Sequence, residues 1–299
     1  MRYTRSTARS PFTNSADVRR VIKARQAYAS KRDFGSLLIV GGSNVYSGAP
    51  ALAGMAALRT GAGLAIIAAP KSVAGTIRGF SPNLIVHSLS GEIVTPEDVT
   101  KISSLLEPAN ALIIGPGIGL RPETEQAVHL VIEKASEANK PIVIDADAIR
   151  ALGKRKDLLR DAKSIITPHA GEFKAISGIE APQKGEQRLP ICRRFASEWG
   201  CVLLLKGHDT VVADGRRARV NRTGNPGMAT GGMGDVLSGI AGTFLAQGAE
   251  PFFAAAVAAY IHGLAGDLVY EQKGFHMVAS DLIETLPLIL KKYDRLSRT

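Results

Sequence analysis

Short apolar runs that stop at glycine or a polar residue recur along the chain at helix-sized intervals. Ser36-Leu37-Leu38-Ile39-Val40 precedes Gly41-Gly42-Ser43, Ala111 to Ile114 precedes Gly115-Pro116-Gly117, and Pro141 to Ile144 precedes Asp145-Ala146-Asp147. Ser164 to Ile166 leads to Thr167-Pro168-His169, Cys201 to Leu205 leads to Lys206-Gly207, and Leu64 to Ala69 follows the Ala-rich stretch Ala49 to Thr60. Runs without polar alternation suit strands covered on both faces, and helical spacers between them predict a parallel sheet. Thr210 to Ala213 and Arg217 to Asn221, joined by Asp214-Gly215, predict a hairpin, after which the pattern is mainly helical to Leu290. The pattern therefore predicts an α/β fold of three layers, αβα, with a mostly parallel sheet and a small antiparallel appendage. The longest apolar stretch, Phe252 to Val269, contains His262, Gly263, Gly266 and Asp267, which suits a buried core helix rather than a membrane span. His262 on it reads as a satisfied core histidine.

In such sheets ligands bind beyond the carboxyl ends of the strands, so the post-strand segments should share one crevice. The richest segment is Asn225 to Asp235, NPGMATGGMGD, followed by an apolar helical run. Its small residues let several N–H groups around Thr230, Gly231, Gly232 and Gly234 converge at a helix N-terminus, which makes an anion site. A carboxylate at that lip, Asp235, suits a base that takes a proton from a hydroxyl attacking a phosphoryl group. It equally suits a helix N-cap. Asp145 and Asp147 offer paired carboxylates for Mg²⁺ through water, with Asp145 favoured, and Asp147 also fits a cap. Glu172, beside His169, suits either a cap or a second metal contact through water. Lys206, Gly207, His208, Asp209 and Thr210 form a segment on which a nucleotide can lie. Gly115-Pro116-Gly117 suits either a tight turn or a contact loop. No Walker A sequence occurs, which excludes a P-loop NTPase by motif.

Charge changes the picture less than its total suggests. The net charge is +10 over 299 residues, but the first 33 carry nine Lys/Arg against Asp17 and Asp33, and residues 291–299 carry four against Asp294. Residues 34–290 are neutral, so residues 1–33 read as a solvated basic arm on a single domain over 34–299, and nucleic acid is not an expected partner. Two cysteines, Cys192 and Cys201, make neither a metal motif nor a disulfide framework, which points to a reducing cytoplasm. The start lacks the apolar core of a signal peptide. Its Arg/Ser-rich composition fits a transit peptide, and Val18 to Ala29 fits a short surface helix.

Taken together, residues 34–64 (FGSLLIVGGSNVYSGAPALAGMAALRTGAGL), 114–119 (IGPGIG), 143–149 (VIDADAI), 166–173 (ITPHAGEF), 204–212 (LLKGHDTVV) and 225–242 (NPGMATGGMGDVLSGIAG) closely resemble the ADP/ATP-dependent NAD(P)H-hydrate dehydratases of the ribokinase-like superfamily. The resemblance covers roughly 34–290. Before the first strand the family shows Ser-His-Lys-Gly where this chain has Ser30-Lys31-Arg32-Asp33. The resemblance implies repair of the S-form of hydrated NAD(P)H, by phosphorylating the ring hydroxyl and eliminating phosphate, with Asp235 catalytic. It implies that Ala49, Gly117, His169 and Asp235 contact the hydrated dinucleotide, and that Lys206 to Thr210 and Gly234 contact the donor nucleotide. ADP is the implied donor, with ATP the alternative and Mg²⁺ the cofactor. A separate epimerase is the implied working partner, since 33 residues are too few for the epimerase domain, and a homo-oligomer is expected. The competing reading is a ribokinase-like small-molecule kinase for hydroxymethylpyrimidine or hydroxyethylthiazole.

Overall fold

The structure is a computed structural model, and it describes residues 12–153, 155–160 and 162–297. The helices are α1 (Ser15–Val21), α2 (Gly48–Thr60), α3 (Lys71–Phe80), α4 (Val99–Leu106), α5 (Pro122–Glu137), α6 (Asp147–Leu152), α7 (Ala170–Ser177), α8 (Gly185–Trp199), α9 (Met233–Ala246), α10 (Pro251–Lys273) and α11 (Ala279–Leu290). The strands are β1 (Arg25–Gln26), β2 (Ser36–Val40), β3 (Leu64–Ala69), β4 (Ile85–Ser88), β5 (Ala111–Ile114), β6 (Ile142–Ile144), β7 (Ser164–Ile166), β8 (Val202–Leu205), β9 (Thr210–Ala213), β10 (Ala218–Asn221) and β11 (Leu296–Ser297).

Nine strands form one sheet in the order β10-β9-β8-β7-β6-β5-β2-β3-β4, parallel from β8 to β4. The apolar runs work as the pleat requires. Leu37 and Ile39 of β2 join one core with α2, α9, α10 and α11, while Leu38 and Val40 join a second core with α4 to α8. The three layers are thus the two faces of one sheet, each covered. Helix α9 is pressed between the sheet and α2, and a Cβ on Gly239 would stand 2.3 Å from the Ala53 carbonyl oxygen. That approach requires glycine.

The hairpin is not an appendage. β9 pairs antiparallel with β8, with Leu204 opposite Val212, so the hairpin extends the main sheet. Its apolar face continues the second core, and edge pairing satisfies the backbone of β8. β4 lay outside the sequence pattern because it is a half-exposed edge strand broken by His87.

The expectation of a solvated arm fails over residues 12–22, whereas residues 23–33 are largely exposed. Asn14 caps α1, Val18 and Val21 are buried against α10, Asp17 pairs with Arg219, and β1 pairs with β11. Apolar residues spaced three apart gave this short helix one buried face, and it spans Ser15–Val21 rather than Val18 to Ala29. The remaining arginines of the arm, Arg2, Arg5 and Arg9, lie outside the described residues. Helix α10 is long and apolar enough to cross a membrane, yet it packs inside the first core. Cys192 and Cys201 are buried free thiols, each pushed up to about 12 by burial.

Candidate functional site

A cleft of about 840 Å³ opens beyond the carboxyl ends of β7 and β8. His169, Lys206, Gly207, His208 and Thr210 line one wall, and Asn225, Thr230, Gly231 and Gly234 line the other. The motifs at 167–172, 206–210 and 225–235 thus contribute to one cleft, whereas 41–43, 115–117, 145–147 and Asp235 itself are not among its lining residues.

The second wall is the anion loop. Its start is tied down by Asp267 of α10, whose carboxylate accepts from Gly224 N at 3.0 Å and Asn225 Nδ2 at 3.2 Å. Asn225 Oδ1 in turn accepts from Gly227 N at 3.0 Å, so this side chain shapes the loop. At its end Gly232 is the N-cap of α9, with φ +87°, and a Cβ there would meet Leu52 Cδ1 at 2.7 Å and Ala279 Cβ at 2.9 Å. Only glycine tolerates both the dihedral and the contact. The free N–H groups of the first turn of α9 consequently face the cleft with the helix dipole behind them.

Because Gly232 holds the cap position, Asp235 is in the first turn without capping it. Among the described residues no hydrogen bond or ion pair engages its carboxylate. Burial, reinforced by the negative charges of Asp145 and Asp147 and opposed by Lys206, pushes its pKa up to about 8. This half-buried carboxyl is left poised near neutrality.

Asp145 is its opposite. It is 1% exposed and lies under the cleft, where it accepts from Thr167 Oγ1 at 2.6 Å, Ser238 Oγ at 2.5 Å and Lys206 Nζ at 3.1 Å. Burial opposes its ionisation, but the Lys206 ammonium and the two hydroxyls outweigh it and hold the carboxyl below the usual range. The connection carrying it is tight. Ala146 has φ +49°, and a Cβ on Gly115 would stand 1.8 Å from the Asp145 carbonyl oxygen. Burial raises the Glu172 pKa, against the pull of Lys206, whose ammonium lies 3.9 Å from Glu172 Oε2. Lys206 is likewise disfavoured by burial, yet Asp145, Glu172 and Asp235 keep it charged, its pKa above the usual value.

These contacts narrow the metal expectation at Asp145 and Glu172, which was for Mg²⁺ held through water, by opposing direct ligation. The Lys206 ammonium stands between the two carboxylates, Asp145 is filled by three donors, and no cluster of three or more metal-ligating side chains occurs among the described residues. The pair does not fit a directly held Mg²⁺, because its cation is supplied by the protein.

His169 caps α7, its Nδ1 accepting from Gly171 N at 3.0 Å and Glu172 N at 3.3 Å, while Glu172 Oε2 accepts from His169 N at 2.8 Å. With Nδ1 an acceptor, the neutral ring carries its proton on Nε2, 3.4 Å from Glu172 Oε1 at the cleft wall. Asp209 turns away from the cleft, accepting from Gly185 N at 3.0 Å at the start of α8. Ala49 and Gly117 stand outside the cleft lining, packed against each other on the α2 side, where a Cβ on Gly117 would also meet Tyr46. Gly119 N donates to Asp147 Oδ2 at 3.1 Å and joins that side to the strand ends.

Three residues of this machinery escaped the sequence pattern. Arg188 is buried and donates to the carbonyls of Pro182, Asp209 and Lys206, which fixes the 206–210 turn. Nothing in the sequence separates it from Arg193 and Arg194 on the same helix. Asp267 and Ser238 were discernible as polar residues inside otherwise apolar helices, a costly placement that calls for a buried partner.

Residues 37–288 match the family model described as NAD(P)H-hydrate dehydratase. The chain is 44% identical over 269 residues to a bifunctional NAD(P)H-hydrate repair enzyme of Pyrobaculum aerophilum, an alignment covering 90% of this chain and 53% of that protein. It is 38% identical to an ADP-dependent (S)-NAD(P)H-hydrate dehydratase of Cenarchaeum symbiosum, covering 94% of this chain and 96% of that one. The chain thus spans about half the length of the bifunctional relatives it matches and nearly all of the monofunctional one. Among solved structures, the ADP/ATP-dependent NAD(P)H-hydrate dehydratase of Bacillus subtilis co-crystallized with ATP/Mg²⁺ superposes with a TM-score of 0.82 at 29% identity, covering 95% of this chain and 99% of that one.

Proposed function

This chain belongs to the NAD(P)H-hydrate dehydratase family, and we propose on that footing that it removes water from the S-form of hydrated NAD(P)H at the expense of ADP. One observation carries the reading. Asp235, a carboxyl with no donor among the described residues and a pKa near 8, lies in the first turn of α9, next in the chain to Gly234 of the cleft lining.

Water is a poor leaving group, and phosphorylation converts the ring hydroxyl into a good one. Asp235 takes the hydroxyl proton as the oxygen attacks the terminal phosphorus of ADP, and the bond to the bridging oxygen breaks to release AMP. The amides of Gly231 to Gly234 and the Lys206 ammonium hold the charge on the transferring group. Loss of phosphate from the ring carbon and of a proton from its neighbour then restores the dihydronicotinamide. Lys206 retains its charge because Asp145 lies beneath it, so Asp145 acts as a positioning residue. His169, Ala49 and Gly117 are the proposed contacts of the hydrated dinucleotide, and Lys206, Gly207, His208 and Thr210 those of the donor. Mg²⁺, where it accompanies the nucleotide, would arrive on the phosphates rather than on Asp145 and Glu172. A separate epimerase would feed this reaction by converting the other hydrate epimer.

The test is to incubate hydrated NADH with protein, Mg²⁺ and either ADP or ATP. Return of NADH absorbance, faster with ADP, is the expected result. A stable phosphorylated product without that return would favour the small-molecule kinase instead.

A further inference from the structure

His262 is the polar group that neither the fold nor the proposed chemistry uses. It was expected to be a satisfied core histidine, and it is not one. Its Nε2 is buried with no hydrogen-bond partner, although the ring forms part of the cleft wall beside Ala259, Gly263 and Leu237. The ring lies against the Met233 backbone, at the first residue of α9. Burial first, and the nearby Lys206 charge with it, push the pKa down to about 4 despite that backbone. The ring is therefore neutral, and a neutral imidazole offers one acceptor nitrogen.

A buried nitrogen left unpaired is costly, and a ligand in this cleft is what can supply its partner. What fits is an N–H or O–H of a ligand whose flat apolar body lies on Met228, Leu237, Ala259 and Gly263. Resting on the nucleotide reading of this cleft, we propose that His262 is the residue that recognises the adenosine half of the donor, with Nε2 accepting from the exocyclic amine of the base or a ribose hydroxyl. The anion loop and Lys206 then hold the phosphates, and His262 sets which nucleoside can follow them into the cleft.

Titration calorimetry of ADP, inosine diphosphate and 2′-deoxyADP against the wild type and His262→Phe tests this without any hydrated cofactor. Phe keeps the ring and removes the acceptor. Wild type is expected to prefer ADP by about tenfold over whichever analogue lacks the donor that is read, which also separates amine from ribose. In His262→Phe that preference should collapse, ADP affinity should fall about tenfold, and inorganic pyrophosphate affinity should be unchanged. If the Phe protein has a lowered Tm, His262→Gln, which retains an acceptor, should recover part of the preference. Discrimination that is equal in wild type and variants overturns the inference while leaving the nucleotide reading intact. A wild type that binds no ADP overturns both.

Discussion

Two carboxylates close to one ammonium, Asp145 on the floor at the strand ends and Asp235 at the helix mouth, have opposite fates. Asp145 comes out of a buried strand end, where the chain brings Thr167, Ser238 and Lys206 to it, and its charge is fixed. Asp235 comes one turn into a helix whose cap is glycine, so nothing donates to it, and its proton is retained to about pH 8. Burial acts against the charge on both. The difference lies in the donors, and it separates a permanent counter-charge from an acceptor that can cycle.

The largest effect is expected from erasing the cycling member. Asp235→Asn is nearly isosteric and should lower turnover at least about a hundredfold, with ADP affinity retained, as seen in NADH recovery at saturating substrates. The same variant should be more stable. With a native pKa of about 8 against the ordinary 3.8, folded Asp235 holds a proton that the unfolded chain releases. That contribution is complete below about pH 4 and is lost as pH rises through 8, and Asn never has it. Its Tm should therefore exceed that of wild type by a margin growing across this window, to about 10 °C at pH 9. A Tm gap that does not change with pH would place the Asp235 pKa at its ordinary value.

Disturbing the anion loop should cost less than removing the base but more than removing the counter-charge. Gly232→Val places a branched side chain at φ +87° against Leu52 and Ala279, and ADP affinity should fall at least tenfold by calorimetry. Unchanged affinity would put the phosphates elsewhere. Asp145→Asn strips Lys206 of its nearest partner, and breaking a buried pair costs about 3–5 kcal/mol. Its Tm should drop by about 10 °C, and the Asp235 pKa should move down as a neighbouring negative charge is lost. The smallest effect on turnover should come from the chain's start. Deleting residues 1–25 removes buried Val18 and Val21 and should lower Tm, yet kcat should stay within about threefold because no described residue of that segment lines the cleft.

The same contrast explains how much was legible in sequence. β2, β5, β6, β7 and β8 were readable because strands covered on both faces must be apolar throughout, and the anion loop because only small residues permit its backbone. Asp235 was readable as a candidate, but not its freedom from capping, which depends on Gly232 taking that position. Asp145 was read as a carboxylate for Mg²⁺ through water and not as the partner of Lys206, because Ser238 lies 93 residues away and Lys206 lies 61 away, and spacing along a chain does not reveal such convergence. α1 and β4 were blurred since each buries only part of its surface.

The central claim is that Asp235 is the base that cycles. Its most direct test is the pH dependence of kcat/KM for hydrated NADH at saturating ADP, measured for wild type and Asp235→Asn. For the free enzyme this ratio titrates with its essential base. Wild type should rise with pH along a limb centred near 8, and the residual activity of the Asn protein should lack that limb. A limb that persists unchanged in Asp235→Asn, at near-normal rate, would contradict the claim and leave Asp235 a helix residue only.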